Sequence, residues 1–546
     1  MLPLFLVRPS SAQQASVVVD VGAKGKDFQP AWAWFGHDEP NYTYMKDGKK
    51  LLAELAELSP VPVYMRVHNL LTTGDGSASL KWGSTNAYTE DKNGMPVYNW
   101  SIVDSIFDTY IRLKMKPFAQ IGFMPEAMST NPVPYRHTWG TGKDSKFNTG
   151  WTYPPKDYGK WEELTYQWVK HCVERYGKAE VESWYWEVWN EPNIEYWSGT
   201  MEEYFKLYDY AAQGLKRALP TARIGGPEIA GTSGPKSIKF LTAFIEHCIS
   251  GTNYATGERG SPLDLISFHA KGSPKLKNGH VQMNMAPELR DIAAGFRITA
   301  SYPQTKNLPV IIGESDPEGC AACSMASHPQ NAYRNGTMYS SYTAASFARI
   351  YALADSFKIN LRGIVSWSFE FEDQPWFYGY RDLATNGIDK PVLNVFRMYG
   401  MMKGKKIAVT DNTMQSLDTV LSSGVKGDRD IGALATTDGL ETAVMLWNYH
   451  DDDLLGKDAS VDLVVRGLKS KTVRFVRYVI DKQHANSYEA WLKMGSPQKP
   501  SDAQIRSLEK ASALLPVDQS EKKVVNGELK LSVPMAGQAV SLILIK

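Results

Sequence analysis

The chain has 546 residues, too many for one hydrophobic core and suited to a large domain with a smaller companion. Its 43% hydrophobic and 22% charged residues are the balance of an ordinary globular protein, which excludes a disordered or fibrous chain. A formal net charge of +1 supplies no field that would gather nucleic acid or hold an anionic membrane surface.

At the N-terminus, Leu2 to Val7 is a short apolar run, and Ser10-Ser11-Ala12 follows as a small-x-small cleavage pattern. Residues 1–15 therefore read as the remnant of a signal peptide, which makes the protein secreted or periplasmic. No other stretch has the length and apolarity of a membrane helix. Residues 16–30 carry one strand-like run at 16–21.

From residue 31 to 403 apolar strand-like runs alternate with amphipathic helical runs. Strands are predicted at 31–37, 61–69, 116–123, 183–190, 222–227, 263–269, 308–313 and 361–369. Helices are predicted at 49–58, 102–113, 158–176, 201–219, 238–249, 287–301, 339–357 and 392–402, and Gly177 is placed to cap the helix before it. Eight successive strand–helix units predict an α/β fold, a closed parallel (β/α)8 TIM barrel. The doubly wound open sheet is the alternative, but no Gly-rich phosphate loop follows the first strand. After residue 404 short β-rich runs at 439–448, 460–465, 472–480, 528–533 and 540–545 predict an accessory β-sandwich, which the run at 16–21 is placed to join.

Cys320 and Cys323 are spaced for a local disulfide, which an exported protein permits. Two further ligands for zinc are not evident, so no metal is expected there. Cys172 and Cys248 fall in helical stretches and are expected as buried thiols. The 16 Trp and 28 Tyr either fill a large core or stack on the C–H faces of sugars, and composition does not separate the two.

Functional groups of such a barrel gather at the C-terminal ends of the strands. There the sequence presents His37, His68 with Asn69, Glu126, Asn190 with Glu191, Glu228, His269, Glu314, and Trp367 with Glu370 and Glu372. Cleavage of a glycosidic bond needs this equipment: one carboxyl group to protonate the leaving oxygen, a second to attack or to activate water, and imidazole and amide groups to hold hydroxyls. The strongest local signal is Trp189-Asn190-Glu191-Pro192-Asn193, a Glu leaving an apolar strand beside an Asn; alone it also reads as a capped strand end. Ile311-Ile312-Gly313-Glu314-Ser315 alone reads equally as a rim salt bridge. Together, three strands apart, they specify a catalytic pair far better than either does.

Over residues 31–402 the chain resembles family 39 of the glycoside hydrolases, best known for β-xylosidases, within the clan of retaining (β/α)8 enzymes. The resemblance rests on Trp189-Asn190-Glu191-Pro192-Asn193, on Lys116-Pro117-Phe118 continuing to Ile121-Gly122-Phe123-Met124-Pro125-Glu126, on Phe268-His269-Ala270 and on Ser366-Trp367-Ser368-Phe369. It implies that Glu191 is the acid/base and Glu314 the nucleophile, that Asn190 contacts the hydroxyl beside the anomeric carbon, and that His269 lies near the nucleophile. It also implies the sandwich built from the tail and the N-terminal strand. His68, His37, Phe123, Trp367, Glu370 and Glu372 are the further candidates for substrate contact, Trp367 as a platform under the sugar. Each has a structural alternative, such as core packing for Trp367 or a loop hydrogen bond for His68.

Three departures from the family pattern fall on substrate-facing loops. Ser315-Asp316 replaces an aromatic-Asn pair, Lys271 replaces a Tyr, and Glu370-Phe371-Glu372-Asp373 differs from the usual acidic segment. Lys271 is either a ligand for an acidic sugar or a salt-bridged surface lysine. The expected activity is double displacement on terminal β-linked sugars of plant-type oligo- or polysaccharides, with β-xylosidase first and no metal or organic cofactor. The alternatives are a β-galactosidase or arabinosidase and a non-catalytic carbohydrate-binding barrel.

Overall fold

The computed structural model describes residues 14–546 except 59, 140–146, 148 and 456. The leader-like run at 2–7 and the small-residue pattern at 10–12 lie outside the described residues. No described helix is long and apolar enough to cross a membrane.

Eight parallel strands close into a barrel in chain order: β1 Trp34–His37, β2 Tyr64–Val67, β3 Lys116–Ile121, β4 Tyr185–Val188, β5 Arg223–Ile229, β6 Leu265–Lys271, β7 Pro309–Asp316 and β8 Asn360–Ser366. Each is followed by a helix: α1 Lys46–Ala56, α2 Ser101–Arg112, α3 Tyr158–Tyr176, α4 Met201–Ala218, α5 Pro235–Ser250, α6 Ala286–Ser301, α7 Thr337–Phe357 and α8 Pro391–Met401. The open doubly wound sheet is thereby set aside. Asp157 caps α3 through the amides of Gly159 and Lys160, and Gly177 ends it at φ +87°, a conformation that favours glycine. Thr200 and Glu203 form a reciprocal capping box at the start of α4.

The inside of the barrel is layered. Trp34, Tyr64, Phe118 and Tyr185 close the bottom, with the Trp34 and Tyr64 rings stacked at 4.0 Å and 8°. One layer higher the same strands carry Gly36, Arg66, Gln120 and Glu187, all turned inward by the two-residue period of a strand. Gly36 is obligatory there, because a Cβ would stand 2.3 Å from the Trp367 ring. A polar layer thus lies between an aromatic floor and the open rim.

Two further sheets pack beside the barrel. The N-terminal strand Ala15–Asp20 runs parallel to Ala459–Arg466 and antiparallel to Val409–Asp411, and Glu528–Met535 completes four strands. The second sheet has seven strands, centred on Asp430–Thr437, Thr442–Tyr449, Ala539–Ile545 and Thr472–Ile480. Between the sheets lie Val17, Val19, Leu463, Val465, Leu446 and Ile543. The other face of the seven-stranded sheet meets α7: Met445, Trp447 and Leu542 belong to the same buried cluster as Phe347 and Tyr399, and Arg349 donates to Asp430 at 2.7 Å. Cys320 and Cys323 form a disulfide, and Cys172 and Cys248 are free and buried.

Candidate active site

The site grows from three chain reversals at the rim. After β4 the backbone enters the left-handed region at Trp189 (φ +71°) and Glu191 (φ +45°), and near the end of β5 at Glu228 (φ +52°). For non-glycine residues such conformations cost about 1–3 kcal/mol each and persist where surroundings enforce them. Here Gln120 donates to the Trp189 carbonyl (3.0 Å), the Trp189 indole to the Tyr196 carbonyl (2.9 Å), and the Glu191 amide to the Glu228 carbonyl (2.8 Å). These bonds aim the Glu191 carboxyl across the barrel mouth.

Glu314 leaves β7 opposite it. One carboxylate oxygen of Glu191, one of Glu314 and a ring nitrogen of His269 all lie within 4.8 Å of one another. His269, from β6, stands between the acids, its Nδ1 2.9 Å from Glu191 Oε1 and 3.7 Å from Glu314 Oε1. These three residues are also the group that could ligate a metal ion among the described residues. The position beside Glu314 is held by the Lys271 ammonium, 2.8 Å from Oε2, which also pairs with Asp316.

Arg66, fully buried on β2, ties the site together. Its Nε donates to Glu187 (2.7 Å), Nη1 to Glu314 (3.2 Å) and the Gly313 carbonyl (3.3 Å), and Nη2 to Asn190 Oδ1 (3.0 Å). With its oxygen so engaged, Asn190 is left to present its amide hydrogens as donors. The Arg66 guanidinium lies 4.8 Å from the Trp367 ring centre, and Trp367 in turn packs at 4.3 Å on His68. His68 is oriented by Asp38 at 2.9 Å and points Nε2 toward Glu314 at 3.9 Å.

The charges of this cluster follow from its contacts. Burial opposes ionisation of Glu314, but Lys271, His269 and Arg66 hold its carboxyl well below the usual range. Burial works against a charged His269, yet Glu314 and contacts with Glu191 and Glu228 push it up to about 9. Burial dominates at His68 and lowers it, against the pull of Asp38. Burial, with Glu228 beside it, raises Glu187 well above the ordinary range, although Arg66 opposes this.

The remaining candidates lie around this core. Phe123 is fully buried, stacked on Trp151 at 4.3 Å and edge-on to His68 at 5.7 Å, in the wall behind the site. His37 turns away from the barrel axis: its nitrogens meet the Glu39 carbonyl (3.0 Å) and Tyr110 (3.3 Å), and its ring stacks on Phe369. Burial lowers it to about 3, so it is neutral. Glu370 accepts from the Gly387 amide at 2.5 Å, and Glu372 from the amides of Asp47 and Gly48 at the start of α1. These contacts hold both acids in the loop between β8 and α8, with Glu372 against the start of α1. The structure therefore assembles Glu191, Glu314, Asn190, His269, His68 and Trp367 into one constellation and sets His37, Glu370 and Glu372 to its side.

Reading the sequence by strand ends passes over Arg66 and Glu187, which sit within the strands. Their signal was present: each is a charged residue inside an otherwise apolar run, VPVYMRVHN and SWYWEVWN. A charge in such a run requires a buried partner, and each is partner to the other.

Comparison with known proteins adds the relationship. The family model described as glycosyl hydrolases family 39 matches residues 16–527. A β-xylosidase of Geobacillus stearothermophilus is 27% identical over 493 residues, covering 88% of this chain and 85% of that protein. An α-L-iduronidase of Mus musculus is 24% identical over 377 residues, covering 64% and 56%. Among solved structures, a family 39 enzyme of Xanthomonas axonopodis pv. citri shares the fold at a TM-score of 0.74, with 21% identity and 99% of both chains covered.

Proposed function

The chain belongs to family 39 of the glycosyl hydrolases, and from that premise we propose that it is a retaining glycosidase with Glu314 as nucleophile and Glu191 as acid/base. The observation that carries this reading is the separation of the two acids, whose facing oxygens lie within 4.8 Å. Retaining enzymes hold their carboxyl groups about 5–5.5 Å apart, whereas inverting enzymes need about 6.5–9.5 Å to admit a water.

In the first step Glu314, kept ionised by Lys271, His269 and Arg66, attacks the anomeric carbon while Glu191 delivers a proton to the departing oxygen. In the second, Glu191 takes a proton from water as the water displaces Glu314. Asn190, its amide oriented by Arg66, is placed to donate to the neighbouring sugar hydroxyl. Trp367 offers the platform and His68, its Nδ1–H donated to Asp38, an acceptor at Nε2. Trapping with a 2-fluoro glycoside and peptide mapping tests the roles: the label belongs on Glu314, and a label on Glu191 or any other residue refutes them.

For the sugar, we propose a terminal β-xyloside, supported by the β-xylosidase relative that matches most of the chain. One observation favours a second reading. Xylopyranose carries no group on C5, yet the site places the Lys271 ammonium 2.8 Å from the nucleophile. A hexuronoside carries a carboxylate at C5 that such a cation would bind, and another relative is named as an α-L-iduronidase. Aryl xylosides and aryl uronosides assayed side by side separate the two. Export fits either: the Cys320–Cys323 disulfide favours an oxidising compartment, and secretion is tested by fractionating cells that express the full-length gene.

A further inference from the structure

His269 is enclosed by charge on every side. Glu191 faces it from the end of β4, Glu228 from β5 and Glu314 from β7, and Arg66, itself paired with Glu187, acts on it from β2, with Lys271 two residues along its own strand. Its two nitrogens meet two different carboxylates, Nδ1 in a hydrogen bond to Glu191 at 2.9 Å and Nε2 in an ion-pair contact with Glu228 Oε2 at 2.9 Å, bent off the line of a hydrogen bond. Glu228 and His269 are both fully buried. The carboxyl of Glu228 reaches its place only because residue 313 is glycine; a Cβ there would stand 1.8 Å from Glu228 Oε2. The glycine before the nucleophile, the left-handed turn at Glu228 and the buried imidazole thus form one built arrangement, a carboxylate–imidazole–carboxylate line ending on the acid/base.

A neutral imidazole has one N–H and satisfies only one of two carboxylates; an imidazolium satisfies both. We infer that Glu228 is a positioning residue that holds His269 as an imidazolium, so that the proton Glu191 gives to the leaving group is drawn from His269 Nδ1 and later returned to it. In the first step the Nδ1 proton passes to Glu191 and from Glu191 to the glycosidic oxygen. The C1–O bond breaks, the Glu314–C1 bond forms, and the imidazole keeps its Nε2 proton on the side of Glu228. In the second step water attacks C1, the Glu314–C1 bond breaks, and the proton lost by water travels through Glu191 back to Nδ1. Protons and bonds balance with no further reactant. The rise of His269 to about 9 accords with this, as does the fall of Glu228 to about 2, where Arg66 and His269 outweigh burial.

The inference rests on the glycosidase reading of Glu191 and Glu314, but its first test needs no turnover. In the intact protein labelled with 15N-histidine, His269, assigned by the resonance lost in His269→Gln, is expected to have both nitrogens protonated at pH 7.5. In Glu228→Gln its titration is expected to fall by at least about one pH unit. The second test is kinetic. In Glu228→Gln the alkaline limb of kcat/KM moves to lower pH. Activity on an aryl glycoside with a poor leaving group falls at least about tenfold more than activity on a dinitrophenyl glycoside, whose departure needs no proton. Glu228→Asp restores part of both. A neutral His269 in the unsubstituted enzyme at pH 7.5 overturns the inference whether or not the variants fold. Equal losses on the two leaving groups with an unmoved alkaline limb overturn it too, and mark Glu228 as structural. Failure to cleave any glycoside, with His269 still cationic, would instead count against the enzymatic reading alone.

Discussion

Arg66 and Glu314 are joined inside the barrel, guanidinium Nη1 to carboxylate Oε1 at 3.2 Å, although 248 residues separate them in the chain. The same guanidinium binds Glu187 and Asn190, so one buried cation orients groups from β4 and β7 together. Replacing it removes one partner of a buried network, leaving Glu187 without its donor and Glu314 with Lys271 and His269 alone. Arg66→Met is expected to lower stability by about 3–5 kcal/mol, the range for breaking a buried ion pair, seen as a reduced urea midpoint. Arg66→Lys keeps the charge but not the fork geometry, so a larger share of its deficit is expected in kcat than in stability.

The roles proposed for the two acids differ, and leaving-group dependence tests them. Glu314→Ala is expected to abolish turnover of every aryl glycoside, because no nucleophile remains. Glu191→Ala is expected to lose about 10²–10⁴-fold on a substrate with a poor leaving group and far less on a dinitrophenyl glycoside. Equal losses on both substrates would reverse the assignment.

Much of this could be read from residues alone. The barrel showed itself because each strand, buried on both faces, is a nearly unbroken apolar run, and Gly177 marked the end of α3. That Glu191 and Glu314 would meet was legible because strand ends of a barrel share one face. The side on which a side chain emerges was harder. In β1 Trp34 and Gly36 face the axis, so His37 must face α2, and a shift of one residue would have reversed this. The strand Pro516–Lys523 was missed because a half-exposed edge strand rich in Asp, Ser, Glu and Lys carries little apolar signal. The short helix Ser487–Lys493 was missed because its helical form rests on packing Trp491 against Phe377, far away in the chain.

Behind Glu314, Glu288 on α6 accepts from Ser315 (2.8 Å) and Tyr342 (2.5 Å) and is fully buried. Burial, aided by Asp316, pushes its carboxyl up to about 8, against the two hydroxyls and Lys271. A raised carboxyl favours the fold below the unfolded value and loses that contribution as pH climbs toward 8, at no more than about 1.4 kcal/mol per pH unit. Glu288→Gln removes the titration. Its stability relative to the unsubstituted enzyme is therefore expected to improve steadily from pH 5 to pH 8, and a difference independent of pH would mean that Glu288 is ionised in the fold.

The Cys320–Cys323 disulfide closes a very short loop, for which chain entropy gives about 2 kcal/mol. The same loop is clamped independently, since Arg334 donates to the carbonyls of Ala321, Cys323 and Gly379 at 3.0–3.2 Å and pairs with Glu318. The double variant Cys320→Ser, Cys323→Ser is thus expected to lose no more than about 2 kcal/mol and to keep kcat/KM within about twofold. A collapse of activity without unfolding would show that the bridge positions Glu314.

Lys271 separates the two substrate readings because its ammonium serves both. Toward Glu314 it is the largest of the influences that favour ionisation, ahead of His269 and Arg66. Replacing it with Met therefore raises the nucleophile's proton affinity, and the acid limb of kcat/KM is expected to move to higher pH on any substrate. Toward a uronate it would supply a charge-assisted hydrogen bond, worth about 1.5–3 kcal/mol or roughly 10–150-fold in binding. For a uronosidase, Lys271→Met raises KM for the aryl uronoside by that factor and leaves KM for the xyloside unmoved. For a xylosidase, KM for the xyloside holds, the uronoside is a poor substrate of both forms, and the moved acid limb is the whole effect. An acid limb that stays in place would mean that Arg66 and His269 suffice to keep Glu314 ionised.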